Sequence, residues 1–436
     1  MNILLIMADQ FAAHALERVR PTDQHFRTPN LDRLAAVSTS FTQAYTPFPL
    51  CVPARSSLVT GRYPHQLGIT SNAGTGAEPG RSPESLGHWF TAAGHDCAYA
   101  GKWHARLPSA TPADGFAPIH PFGDEGLVAA CTQWLDSRDD DRPFLLVASF
   151  DDPHTICEFA RAQPMPYGNV PVVPAGQAPP LPANFPPGPY AASAPAVEKA
   201  SADRVYGTAE FGPDDWRQSR AAYAALVERT DARIGELLAA VDLDTTAVVF
   251  VSDHGDGDAS HAWNQKTALH LECVRVPLLV HLPGGGQEVE SRPVPAVLGM
   301  FATLCGIAGI AAPAGLAAGS VLDEAAGDVV IQCNFADTAR ANAGAPTAGR
   351  ALVHGRYKYT VYSWGMHREQ LHDVIADPGE QRNLAMEDGY GQVLEEMRGR
   401  LLDWALDTGD TAFLKKLVLP ATAPGTVHRQ LFNVPY

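Results

Sequence analysis

The 436-residue chain predicts an α/β protein built on a mainly parallel sheet flanked by helices, with a smaller α+β unit at its C-terminus. Three observations carry this expectation. Near-continuous apolar runs alternate with helical patterns, as they do in parallel sheets covered on both faces. Polar residues gather directly after several of those runs, where open α/β sheets bind their ligands. After about residue 340 the pattern changes to short alternating segments and one amphipathic helix.

Residues 2–8, apolar without alternation from Ile3 onward, end on Asp9-Gln10, which predicts a buried strand. No basic segment precedes this run, so it reads as a strand rather than a secretory signal, and a cytoplasmic protein is expected. A helix is expected over 30–37 and another over 83–93. A strand over 96–100 then leads to Gly101-Lys102-Trp103-His104. A third strand, 144–150, leads to Asp151, Asp152, Pro153 and His154. Ten prolines crowd the stretch from about 163 to 190, which predicts either a rigid surface excursion or a lid. A long helix over 214–241 precedes a strand at 247–252, which closes on Asp253-His254. A strand at 277–282 and a helix at 295–307 complete the large unit. The Ala/Gly/Pro-rich stretch 339–349 reads as a linker, dividing the chain into 1–340 and 341–436. Beyond it, 351–364 alternates around a turn at His354-Gly355-Arg356, and 370–373 adds a strand. The helix 388–407 follows, with Asp388 as its cap.

Composition narrows the function classes. Lys and Arg number 32 against 48 Asp and Glu, a formal charge of −16. This argues against nucleic acid or an anionic membrane as the main partner. An anionic small substrate stays open, because local basic residues override the global field. No stretch is long and apolar enough to span a bilayer. The seven cysteines, at 51, 97, 131, 157, 273, 305 and 333, are dispersed without a CxxC pair, so no disulfide framework is expected.

The most informative segment is Cys51-Val52-Pro53-Ala54-Arg55, followed by Thr60-Gly61. A helix opening at the thiol puts Arg55 one turn on, on the same face. A helix N-terminus with an adjacent guanidinium suits a divalent oxyanion. An unmodified Cys51 is also readable as a thiolate nucleophile. The glycine-dense anion loop of a cysteine phosphatase is missing, however. Asp9 at a strand end is a hard-metal ligand or a helix cap. Asp253-His254-Gly255 is a second metal pair or an Asx turn. Lys102 and His104, two apart at a strand end, are expected to face one side. His154 and Lys266, taken alone, read as satisfied surface or core residues.

The Cys51 segment resembles the signature of the type I sulfatases, in the alkaline phosphatase superfamily. The likeness extends to Asn30-Leu31-Asp32-Arg33-Leu34, to Gly101-Lys102-Trp103-His104, and to Trp263-Asn264-Gln265-Lys266. It continues in Arg356-Tyr357-Lys358-Tyr359, Asp377-Pro378 and Asn383-Leu384, and so covers nearly the whole chain. The resemblance implies an alkaline-phosphatase-like fold and sulfate-ester hydrolysis. It implies that Cys51 is oxidised to Cα-formylglycine, whose hydrate is the nucleophile, by a formylglycine-generating enzyme. It implies one divalent metal at Asp9, Gln10, Cys51, Asp253 and His254. Arg55, Lys102 and Lys266 would meet the sulfate, His104 the nucleophile's hydroxyls, and His154 or Lys266 the departing alcohol. His261 and Asn264 have no independent argument.

One position departs from the pattern. The family usually carries Asp-Asp where this chain has Asp9-Gln10, and choline-sulfatase-like and phosphonate-monoester-hydrolase-like branches resemble it in carrying Asp-Gln. The metal expected is calcium, or manganese given the lost negative charge. Three functions follow in order: a sulfatase acting on a small-molecule or saccharide ester, a phosphodiesterase or phosphonate monoester hydrolase, and a non-catalytic anion-binding member. The sequence leaves a homo-oligomer open.

Overall fold

A computed structural model describes residues 1–16, 25–73, 85–106, 112–138, 142–324, 327–335, 347–425 and 427. Most of the expected linker at 339–349, and the start of the expected helix at 83–93, lie outside the described residues.

Eight strands form the main sheet: β1 (Asn2–Asp9), β2 (Thr39–Phe41), β3 (Asp96–Gly101), β4 (Ala117–His120), β5 (Phe144–Pro153), β6 (Thr246–Ser252), β7 (Leu278–His281) and β8 (Glu288–Glu290). Their order is β4-β3-β5-β1-β6-β7-β2-β8. The pairs β3–β4, β3–β5, β1–β5 and β1–β6 are parallel. β7 runs against both β6 and β2, and β8 runs with β2. The sheet is therefore mainly parallel, as the apolar runs predict.

β1 shows why those runs do not alternate. Leu4, Ile6 and Ala8 pack into one core with residues of α1 (Pro29–Ala35). Ile3, Leu5 and Met7 pack into another, on the opposite face. That second core draws on α2 (Cys51–Thr60) and α3 (Leu86–Ala92). Successive side chains of a strand point to opposite faces, so a strand covered on both sides must be apolar throughout. Further helices are α4 (Leu127–Asp136), α5 (Ile156–Ala160), α6 (Ser193–Tyr206) and α7 (Pro213–Leu238).

A second, four-stranded antiparallel sheet has the order β12-β11-β10-β9. It comprises β9 (Val329–Phe335), β10 (Thr347–His354), β11 (Tyr357–Tyr362) and β12 (Glu369–Asp373). β9 is absent from the sequence expectation and precedes residue 340. One face of this sheet packs with Tyr45, Leu269, Leu271 and Val274 of the large unit. The other carries Leu394, Met397 and Leu401 of α8 (Gly391–Thr408). The expected cap does not form there: Asp388 lies in a separate 3₁₀ turn, and Tyr390 precedes the helix.

The proline-rich stretch is an excursion with one short 3₁₀ turn, Ala175–Gln177. Its Pro166 and Tyr167 reach the wall of the main cleft. All seven cysteines are buried and free. No helix among the described residues is long and apolar enough to cross a membrane.

Candidate active site

The four strands β3, β5, β1 and β6 are neighbours in the sheet, so residues just past their carboxyl ends share one edge. Asp9 ends β1, Lys102 follows β3, Asp151 lies two residues before the end of β5, and Asp253 follows β6. Two backbone features let them approach. Gly101 has φ +88°, and a Cβ there would sit 2.2 Å from the Ser149 carbonyl oxygen. Gln10 has φ +69°, a conformation costly for a non-glycine residue. It is held by Tyr223, whose hydroxyl donates to Gln10 O at 2.7 Å, and by Asp253 Oδ1, which accepts from Gln10 N at 3.1 Å.

α2 begins at Cys51 itself and stops at Gly61, which takes φ +62° and donates its N–H to Ser57 O. Cys51 Sγ lies 3.2 Å from Lys266 Nζ, 3.3 Å from His254 Nε2 and 3.7 Å from Asp9 Oδ1. Burial and Asp9 push the Cys51 thiol up, but Lys266, His254 and Lys102 outweigh them and hold it well below its usual range.

Arg55, one turn along, is 1 % exposed. It makes four hydrogen bonds: to Asp253 Oδ2 at 2.7 Å, Asp9 Oδ2 at 3.2 Å, Lys102 O at 2.7 Å and Ser149 Oγ at 2.8 Å. In this arrangement Arg55 ties carboxylates together. Lys102 Nζ sits 2.8 Å from both Asp9 Oδ2 and Asp151 Oδ1. Burial raises the Asp9 carboxyl, yet the cations Lys102, His154, Arg55 and Lys266 hold it well below the ordinary range.

Each metal-candidate carboxylate divides its oxygens. Oδ2 of Asp9 and of Asp253 faces Arg55, while each Oδ1 lies within 3.7 Å of His254 Nε2. His254 Nδ1 lies 3.0 Å from Gly255 O, the bond that leaves Nε2 as the ligating lone pair. Asp9, Cys51, Asp253 and His254 each offer one atom within 4.8 Å of the others. Two carboxylate oxygens with an oriented imidazole fit a divalent cation. Gln10 adds Oε1, which accepts from Lys266 Nζ at 3.1 Å, while its Nε2 donates to Asp256 Oδ2 at 2.6 Å.

A cleft of about 820 Å³ opens at this edge. Lys102, His154 and Lys266 line it, with Trp103, Phe122 and Tyr206 on its walls. His154 Nδ1 is 4.0 Å from Asp151 Oδ1. Burial lowers His154, but Cys157 and Asp9 act against it, and the ring is pushed up to about 10. His104 is exposed on the same wall at φ +42°. β3 ends at Gly101, so strand alternation does not run through Lys102 and His104, and one is buried while the other is not. His261 turns away and stacks on His270, ring centres 4.0 Å apart.

Three residues of the cluster are absent from the sequence expectation as site members. Asp151 holds Lys102, Ser149 holds Arg55, and Asp256 orients Gln10. Ser149 carried a signal, as a lone hydroxyl inside an apolar strand. So did Asp256, the second acid of Asp253-His254-Gly255-Asp256.

The sulfatase family model matches residues 1–310. The chain belongs to the sulfatase family. It is a sulfuric ester hydrolase, an enzyme that cleaves sulfate esters. The Delta 4,5-hexuronate-2-O-sulfatase of Bacteroides thetaiotaomicron is 29 % identical over 444 residues, covering 94 % of this chain and 89 % of that protein. The structure of a 2-O GAG sulfatase superposes with a TM-score of 0.81 at 26 % identity, over 96 % of this sulfatase and 94 % of that chain. The phosphonate monoester hydrolase of Agrobacterium radiobacter shares the fold, with a TM-score of 0.71 at 19 % identity over 93 % of this chain and 96 % of that one.

Proposed function

We propose that this sulfatase cleaves a sulfated saccharide or another small sulfated alcohol, with Cys51, converted to Cα-formylglycine, as nucleophile beside a divalent cation. The observation that carries this is the environment of Cys51, whose Sγ has Lys266 Nζ at 3.2 Å and His254 Nε2 at 3.3 Å beside two buried carboxylates. Saccharide substrates are supported by the relatives, which include a hexuronate sulfatase. When present, the formylglycine supplies a hydrated aldehyde as nucleophile, and the cation supplies positive charge beside it.

The chain's own residues do the rest. Asp9 Oδ1, Asp253 Oδ1, His254 Nε2 and Gln10 Oε1 would hold the cation. The oxygens suit calcium, and the imidazole extends the set to manganese. Lys102 and Lys266 direct positive charge at the sulfate oxygens. Arg55 fixes both carboxylates and so acts on the sulfate through them. His154, protonated below about pH 10, gives a proton to the departing alcohol oxygen. His104, exposed on the cleft wall, accepts a proton from the reacting group. Maturation of Cys51 calls for a formylglycine-generating enzyme.

Gln10 favours a second reading, phosphonate monoester or phosphodiester hydrolysis, because it removes one negative charge from the cation site. Competing rates decide between them. The enzyme matured in the presence of a formylglycine-generating enzyme should give a higher kcat/KM on an aryl or saccharide sulfate than on an aryl phosphonate monoester or phosphodiester. The reverse order would overturn the proposal.

A further inference from the structure

We propose that Arg161, backed by Tyr206, is a specificity residue that binds a second negative charge of the substrate, so that the preferred alcohol half is an acidic sugar. The inference rests on the sulfate-ester reading above and deepens it. Arg161 follows α5 and lines the cleft shared by Lys102, His154 and Lys266. Its guanidinium carbon lies 4.7 Å from the centre of the Tyr206 ring, and its Nε donates to Val205 O at 3.2 Å. The ring contact and that one bond hold the Nε side of the guanidinium against Tyr206 and Val205. A fixed planar fork is what bidentate recognition of a carboxylate or sulfate needs.

The other end of the guanidinium is uncommitted. Among the described residues no carboxylate pairs with Arg161, although the chain carries a net charge of −16. The contrast with α7 is direct. Arg220 pairs with Asp258 at 3.2 Å, Arg229 with Asp152 at 2.7 Å and Arg233 with Asp124 at 2.8 Å. Tyr206 links Arg161 to the reacting centre. Its hydroxyl is raised by burial and opposed first by the charge of Lys266 and then by that of Arg161, so both cations act on one phenol.

Glu158, one turn before Arg161, lines the same wall. Its Oε2 is buried without a hydrogen-bond partner among the described residues. A sugar hydroxyl would satisfy that acceptor. A cationic alcohol would be repelled by Arg161, and a plain aryl alcohol would leave both residues unmatched. An acidic sugar, bearing either a uronate carboxylate or a second sulfate, answers both.

The test uses the full chain with Cys51 converted, and four substrates. These are a 2-O-sulfated hexuronate, a disulfated neutral sugar, a monosulfated neutral sugar and choline sulfate. The unsubstituted enzyme should prefer at least one of the first two, and the arm that is preferred identifies carboxylate or sulfate as the anion. Arg161→Gln should lower the ratio of kcat/KM between that substrate and the monosulfated neutral sugar roughly 10- to 100-fold, mainly through KM, as expected for one hydrogen-bonded charge. Arg161→Lys keeps the charge without the planar fork and should recover part of the ratio. An unaltered ratio in Arg161→Gln, or a preference for choline sulfate, would overturn the inference. Absence of turnover on every sulfate ester by the unsubstituted converted enzyme would instead overturn the hydrolase reading, and the inference with it.

Discussion

Arg55→Met removes the cation that joins two fully buried carboxylates while keeping helix propensity and most of the side-chain length. In the variant, Asp253 Oδ2 loses its partner at 2.7 Å. Asp9 keeps Lys102 at 2.8 Å, so its charge remains paired. The loss is therefore that of one buried carboxylate left without its cation, about 3–5 kcal/mol, rather than a sum over four bonds. Thermal melting of the metal-free protein should show this as a lowered Tm. A divalent cation at 100 times its Kd adds about 2.7 kcal/mol to the folded state, and it would also neutralise Asp253. The gap between variant and parent should then narrow when metal is added. Adding Asp253→Asn should recover part of the loss, because the two residues are in contact and their effects do not add. A metal-free Arg55→Met protein that melts with the parent would refute the reasoning. So would a deficit that neither metal nor Asp253→Asn reduces.

Further expectations follow from other parts of the site and fold. His154→Gln should slow a poorly leaving alkyl sulfate by roughly 10²–10⁴, and 4-nitrophenyl sulfate much less, because only the first alkoxide needs a proton; equal losses would remove the acid role. A strong chelator should abolish turnover, and calcium or manganese should restore it, whereas full activity in chelator would contradict the Asp9, Asp253 and His254 site. At the junction with the second sheet, burial raises Glu380, but Lys358, His372 and His270 hold it well below 4.5. Its stabilising contribution is present above pH 4.5 and is lost as pH falls from there through its depressed folded value. Glu380→Gln should accordingly flatten the acid side of a Tm-against-pH curve, and an unchanged acid limb would count against the pair.

Much of the fold was readable because burial on both faces leaves a simple trace. Ile3 to Ala8 and Ala247 to Val251 are apolar throughout; Asp9 follows the first run directly and Asp253 follows the second after Ser252. The short strands β2 and β8 have three residues each, too few to show any period. β9 carries an apolar start, Val329-Val330-Ile331, but its role as the edge of the second sheet depends on pairing with β10, which sequence does not display. The residues proposed to bind the cation and to supply the nucleophile were legible because each stands in a compact motif. Their supports were not. Asp151, Ser149 and Asp256 act by holding Lys102, Arg55 and Gln10 across separations of 49 to 246 residues. Lys102 and His104 do line one cleft, but the turn at Gly101 leaves the first buried and the second exposed.

The central claim is that Cys51 acts as formylglycine. The most direct measurement pairs the fraction of converted Cys51, from the mass of its peptide, with sulfate release per enzyme across preparations matured to different extents. Activity should rise in proportion to conversion, reach zero at zero conversion, and be absent in Cys51→Ala. Sulfate release that is independent of conversion, or that persists in Cys51→Ala, would contradict the account.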